Sequence, residues 1–340
     1  MAYTTIDKPT DYFETVTYAG GTTDISSLDF QPDFVWGKKR DGAENYALFD
    51  SVRGATKTIN SNTTAIESTR SGSLTSFDSD GFTLGGSDGI ISNSGSTYVA
   101  WSWKAGTSFT NDASSTSIGT IDSAGSVSTT AGFSIITYTG NGTGGASIAH
   151  GLGAVPNLVL IKCTNSAHDW AVYYGDPTDE LVLNENNATL DTAVVWNDTA
   201  PTSSILTLGS RGGVNANTQT HVAYCFTNIK GYSKIGSFVS NNTTDNTFVY
   251  CGFKPALVLL KSTTSTNDWM IFDNKRDPFN VTQHKLYPNI NNAEATTEND
   301  IDLLSNGFKL RNAHGANTFI FMAIAENPFV SSTGVPATAR

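Results

Sequence analysis

Short apolar runs recur along this chain, each five to eight residues long and closed by clusters of Gly, Asn, Asp and Ser. Val, Ile, Thr, Tyr, Phe and Trp dominate the runs, a composition that suits pleated strands. Between Phe13 and Trp103 the pattern predicts strands over 13–18, 33–38, 46–50, 56–60, 73–77, 81–84 and 97–103. No long window shows a capped helical period of apolar residues. In the last of these strands Val99, Trp101 and Trp103 fall on one face, and Tyr98, Ala100 and Ser102 on the other, because side chains alternate along a strand. The run opened by Pro32 is apolar on both faces, as a central strand must be. A proline is tolerated at a strand's beginning.

The same pattern occurs three times. PDFVWGK from Pro32, PNLVLIK from Pro156 and PALVLLK from Pro255 each end on a lysine six residues later: Lys38, Lys162 and Lys261. An aromatic residue follows each proline by fourteen residues, at Tyr46, Trp170 and Trp269. Far downstream TYVAWSW, THVAYCF and TFIFMAIAE align on Ala100, Ala223 and Ala323. Opening strands precede the prolines at Phe13, Phe133 and Tyr232. Self-similarity at a period near one hundred residues predicts three copies of one unit. The expected fold is all-β: three tandem antiparallel β-sandwich repeats of jelly-roll-like order. They span 12–104, 132–227 and 232–327. Around them lie an N-terminal arm (1–11), a Ser/Thr/Gly-rich linker (105–131) with room for a short strand over 116–121, and a C-terminal tail (328–340). The four-residue link 228–231 is too short to swing freely, so the second and third units are expected to dock.

Composition narrows the function. Of 340 residues only 15% are charged, against about 25% in ordinary domains, while 11% are aromatic. The aromatic content separates the chain from disordered polar sequences. A net charge of −11 removes the basic face that phosphate tracking requires, so nucleic acid is not an expected partner. No apolar run approaches a membrane span, and Met1–Val16 lacks the basic start and apolar run of a secretory signal. Cys163, Cys225 and Cys251 are too few and too scattered for a disulfide framework and read as free, half-buried thiols.

Candidate chemistry is sparse. Gly85-Gly86-Ser87-Asp88-Gly89 matches G-x-S-x-G, but a nucleophile elbow needs a helix after it, and a second loop follows. His150, His168, His221, His284 and His314 stand apart, without metal-ligand spacing. Asp78-Ser79-Asp80-Gly81 faintly resembles a calcium loop. Its counterpart Ser305-Asn306-Gly307 points instead to a hairpin turn with glycine at positive φ. The aromatics of the last strand read as core, with a sugar-stacking platform as the alternative. Lys38, Lys162 and Lys261 end a buried strand, and Asp50 and Asp273 are their expected ion-pair partners in the first and third units. The second unit has Tyr174 at that place, with Asp176 close by. No catalytic, cofactor or metal residues emerge, no cofactor is expected, and the protein is read as not an enzyme.

Several motifs carry a resemblance. Met1–Pro9, the run from Phe30 to Lys38, LFDSVRG (Leu48–Gly54), LTSFDSDGF (Leu74–Phe82), YVAWSWKAG (Tyr98–Gly106), IKGYSKIGS (Ile229–Ser237), DNKRDPFN (Asp273–Asn280) and the closing GVPATAR together form the set. The chain resembles virion-associated, tail-fiber-like structural proteins of marine tailed phages, built of a repeated domain of unknown function. The resemblance spans essentially the whole chain and carries over no catalytic or binding residues. It implies a virion protein assembled in the host cytoplasm, contacting other virion proteins and the host surface. A homo-oligomer is expected, with a trimer favoured, and the polar arm 1–11 would lie along a neighbouring virion protein. The alternatives are a carbohydrate- or receptor-binding module, a capsid-attached decoration or fiber protein and, as an enzyme, a polysaccharide depolymerase.

Overall fold

The computed structural model describes residues 3–336. The chain is all-β, and its sheets are antiparallel ladders. In each sequence unit the opening strand pairs with the last strand, which pairs with the proline strand, which pairs with the next. In the first unit these are Phe13–Ala19, Thr97–Trp103, Phe34–Lys39 and Ala47–Asp50. The second repeats the order with Phe133–Thr139, Thr220–Phe226, Leu158–Cys163 and Ala171–Tyr173. The third uses Ser233–Val239, Thr318–Pro328, Phe253–Ser262 and Met270–Asp273.

The doubly apolar character of the proline strands follows from what covers their two faces. One face of each sheet meets a small second sheet of its own unit. Val35 and Ala100 pack with Leu74, Phe82 and Leu84; Val159 and Ile161 with Ile148, Leu206 and Leu208; Val258 and Leu260 with Phe308 and Leu310. The other faces converge. Phe34, Trp36, Trp101 and Trp103 from the first unit, Leu158, Leu160, Tyr224 and Phe226 from the second, and Leu257, Leu259, Met322 and Ile324 from the third form one common core. Burying such a side chain contributes roughly 1.5–3 kcal/mol, so the shared core binds the three units far more tightly than the four-residue link could. All six tryptophans are buried. The sugar-stacking alternative for Trp101 and Trp103 is therefore excluded: the Trp103 ring packs at tilted or edge-on angles against Phe13, Phe34, Phe133 and Phe226, and Trp101 lies edge-on to Trp36.

Four expectations are corrected. First, Ala100 and Ala223 lie opposite Gly37 and Ile161, but Ala323 lies opposite Val258; Phe321, opposite Leu260, holds the equivalent place. The cause is the length of chain before the last strand: Trp103, Phe226 and Ile324, opposite Phe34, Leu158 and Leu257, stand progressively fewer residues beyond their prolines. Pro255 itself sits inside its strand, and the ladder shifts register on both sides of it because proline offers no backbone donor. Second, the stretch 105–131 is not a linker. Thr107–Asn111 and Ser123–Ser128 form a hairpin that extends the second unit's sheet, joined by a turn of helix, Ala113–Thr116, capped by Asp112. The short strand expected over 116–121 falls in that connection, where Ile121 makes a single bridge to Ile148.

Third, the described part of the arm, residues 3–11, folds back onto the chain. Ile6 enters the common core, Tyr3 Oη donates to the Gly252 carbonyl (2.7 Å), and Ser332 N donates to Asp7. Fourth, Gly81 and Gly307 open the second strand of two-residue hairpins, but their glycines answer to a neighbour more than to the turn. A Cβ at Gly81 would lie 1.5 Å from the Ile25 carbonyl oxygen, and one at Gly307 would lie 2.0 Å from that of Val249. Gly81 takes the expected positive φ, 155°, and Gly307 does not. The tail is described to Pro336; residues 337–340 of the predicted 328–340 segment, and residues 1–2 of the arm, lie outside the described residues.

Candidate functional site

The junctions between units hold a recurring set of buried polar contacts. Along each strand facing the common core the residues run from apolar to lysine: Phe34, Trp36, Lys38; Leu158, Leu160, Lys162; Leu257, Leu259, Lys261. The three lysines are buried, and burial pulls each pKa down to about 8. None pairs with Asp50 or Asp273. Lys38 Nζ donates to the carbonyls of Lys39 and Gly42. Lys162 Nζ donates to those of His168 and, across the junction, Thr64 (2.9 Å). Lys261 Nζ donates to Ser262, Asn267 and, again across a junction, Asn186 (3.0 Å). A lysine closing a buried strand beside bare loop carbonyls satisfies them more cheaply than a second buried charge would.

The aspartates have their own partners. Asp50 accepts from Arg53 Nε (2.5 Å) and Arg53 N (2.8 Å); Asp273 accepts from Arg276 Nε (2.6 Å) and Arg276 N (2.9 Å). Each arginine also reaches a carbonyl in its own sheet, Leu48 or Ile271, and a second carboxylate, Glu67 or Glu294. A donor from the neighbouring unit completes both sites. Tyr224 Oη donates to Asp50 (2.7 Å) and Trp101 Nε1 donates to Asp273 (3.0 Å). Tyr224 and Trp101 occupy the same register position, opposite Leu160 and Trp36. In the third copy that position is Met322, which has no donor, and the aspartate is replaced by Tyr174, which turns to Asp179 (2.6 Å). Burial works against the charges of Arg53 and Arg276, but their carboxylates outweigh it and raise both pKa values.

A third set of contacts closes the ring. Glu67 N donates to the Thr164 carbonyl, Thr189 N to that of Thr263, and Glu294 N to that of Arg40. The acceptors all lie eight residues beyond their prolines. Trp170 Nε1 reaches the Asn60 carbonyl of the first unit, and Trp269 Nε1 the Val182 carbonyl of the second. Within each unit an asparagine holds the aromatic residue in place: Asn62, Asn184 and Asn289 accept from the backbone of Tyr46, Trp170 and Trp269 at 2.8–3.0 Å. Their amides donate to Asn45, Asp169 and Asp268. These asparagines lie at unequal distances past the prolines, so constant spacing could not reveal them. Arg53 and Arg276 were detectable, since both stand three residues after the matching aspartate.

The other singled-out residues do not converge. Ser87 follows the strand Gly81–Leu84, and turns continue to the strand Thr97–Trp103, with no helix between. His150 and His221 place their ring nitrogens against backbone groups, and His284 Nδ1 faces Asp277. Cys163, Cys225 and Cys251 are free and fully buried rather than half-buried, and burial raises the Cys225 and Cys251 thiols to about 12. Among the described residues no helix is long and apolar enough to cross a membrane, and no group of three or more His, Cys, Asp or Glu side chains converges.

Beyond the lysines, the junctions open into grooves. One of about 680 Å³ lies between the first and second units, and one of about 520 Å³ between the second and third; a smaller one of about 280 Å³ lies elsewhere along the first–third junction, beside Phe13–Thr15 and Asn274.

Fold and junctions together define a class: an all-β protein whose antiparallel sheets share one core and interlock through buried polar contacts. The chain belongs to the family described as Domain of unknown function (DUF7483), whose model matches residues 8–328 in a single span. That span takes in all three sheets and the junctions between them. No curated protein matches the chain.

Proposed function

We propose that this protein is a non-enzymatic structural component of a phage particle, a tail-fiber-like appendage that contacts the host surface. The three four-stranded sheets with their small partner sheets are read as three copies of one β-sandwich unit spanning 12–104, 132–227 and 232–327. The observation that carries the reading is the cyclic order of the junction contacts: first unit to second, second to third, third back to first. The buried Arg53–Asp50 and Arg276–Asp273 pairs and the tryptophans of the common core are spent on holding sheets together. His150 and His221 are bound to backbone and Asp50 and Asp273 to arginine, a use of titratable groups that suits scaffolding better than turnover. The resemblance to tail-fiber-like proteins supports the virion location.

Oligomerisation, with a trimer favoured, belongs to the same proposal. It would use outer surfaces and edge strands, because the inner faces of all three sheets are already consumed by the common core. Attachment through a free N-terminal arm is no longer part of it, since residues 3–11 are bound within the chain.

The test is location. Mass spectrometry of density-purified particles and immunogold labelling are expected to find the chain at constant copy number on an appendage. Absence from purified particles would overturn the assignment.

A further inference from the structure

We infer that the two larger junction grooves are a pair of equivalent glycan-binding grooves. The inference deepens the host-contact part of the proposed function and rests on it for biological purpose, though not for chemistry.

Equivalence comes from register. Thr137, Thr164 and Thr220 line the first groove; Ser237, Thr263 and Thr318 line the second. Thr137 and Ser237 lie opposite Val222 and Ile320, which pair in turn with Lys162 and Lys261. Thr164 and Thr263 each donate their backbone N–H to Thr220 and Thr318. The same three strand positions therefore present hydroxyls in both grooves. At the third junction these positions are Thr17, Arg40 and Thr97. Arg40 reaches across and binds Glu294 through Nε and Nη2 at 2.8–3.2 Å, bridging the junction where the others stay open.

Ligand class follows from the lining. The hydroxyls of Thr137, Thr164 and Thr263 donate to the carbonyls of Ala124, Thr220 and Thr318, which leaves their lone pairs to accept from a ligand; with the threonine methyls as small apolar faces they match the alternating O–H and C–H surface of a sugar. Carboxylates also line the grooves: Asp112 in the first is engaged with Ser114 and Ser115, and Asp176 in the second accepts from Thr178 through Oδ1, which leaves Oδ2 as an acceptor for a ligand hydroxyl. Anionic ligands fit poorly: Arg53, the cation of the first groove, is committed to Asp50 and Glu67. Both volumes fall within the span of roughly 300–1,000 Å³ usual for small-molecule sites.

The experiment uses the full chain and saturation-transfer NMR with glucose, galactose, mannose, N-acetylglucosamine and N-acetylgalactosamine at millimolar concentration. At least one sugar is expected to receive saturation. Signal should weaken in T164V/T220V and in T263V/T318V, and vanish when the four changes are combined. Arg40→Thr gives the third junction threonine at all three of these strand positions, as in the first, and is expected to strengthen the signal. No transfer to any of the five sugars, full transfer to a folded four-site variant, or an unchanged signal in Arg40→Thr would count against the grooves. Failure here with the chain present in purified particles retires the grooves and leaves the virion assignment. Sugar binding by a chain absent from particles does the reverse.

Discussion

Trp101 Nε1 donates to Asp273 Oδ2 at 3.0 Å, joining strands that lie 172 residues apart. The contact is the counterpart of Tyr224 Oη on Asp50, one junction round the ring. Where the strand residue becomes Met322, which cannot donate, the aspartate position becomes Tyr174. At this strand position a buried carboxylate is kept only where both its arginine and its cross-unit donor are present.

That rule ranks three substitutions. Asp273→Ala and Asp50→Ala each leave a buried guanidinium with only its second carboxylate, Glu294 or Glu67, and removing one partner of a buried pair costs about 3–5 kcal/mol. Tyr174→Phe removes a single hydrogen bond and should cost about 1 kcal/mol. Urea unfolding is expected to show this order. Equal midpoints for Asp273→Ala and Tyr174→Phe would contradict it.

Acid should weaken the fold before its carboxylates titrate. Burial holds the pKa values of His150, His221 and His314 below their ordinary value of 6.5. At His150 the geometry agrees: Leu152 N donates to Nδ1 while Nε2 faces the Thr202 carbonyl, an arrangement the neutral ring satisfies. The folded state then binds fewer protons than the unfolded chain, so the stability is fully present above 6.5 and is lost as pH falls through the lowered values. The thermal midpoint is expected to drop between pH 7 and about pH 5.5, and less steeply in His150→Gln. A midpoint constant over that window would refute the assignment.

The N-terminal arm is structural. Ile6 lies in the common core, so Ile6→Ala should cost about 2–5 kcal/mol, as other buried truncations do. Deleting residues 1–11 removes this contact and the Tyr3–Gly252 bond together. Differential scanning calorimetry should record a lower midpoint for the truncated chain; an unchanged one would show the arm to be dispensable.

Gly81→Ala and Gly307→Ala place a methyl group against a cross-strand carbonyl oxygen. Gly54, at a φ of 99°, has open space around its missing Cβ and is less buried than either. Alanine at Gly81 is expected to cost clearly more than the roughly 1 kcal/mol scale of ordinary glycine replacements, and more than alanine at Gly54. Chemical denaturation of the three variants checks the order.

The threefold pattern was legible in the chain because proline, lysine and aromatic residue keep constant spacing along single strands, where local geometry alone sets the distance. So was the all-β class, since apolar runs of strand length with turn clusters between them leave little room for helices. The burial of Lys38, Lys162 and Lys261 was foreshadowed too, but their partners were not. A lysine six residues past a proline says where its strand ends, not which loop of another unit brings carbonyls to it. Asp50 and Asp273 were matched to the wrong cations because spacing cannot weigh a neighbour three residues away against one on an adjacent strand. Only the tertiary structure decided that Ala323 had slipped two places, that 105–131 joins a sheet, and that the inner faces of all three sheets meet in one core. Each of these depends on contacts between residues distant in sequence, whose free energy appears only when the faces close on one another.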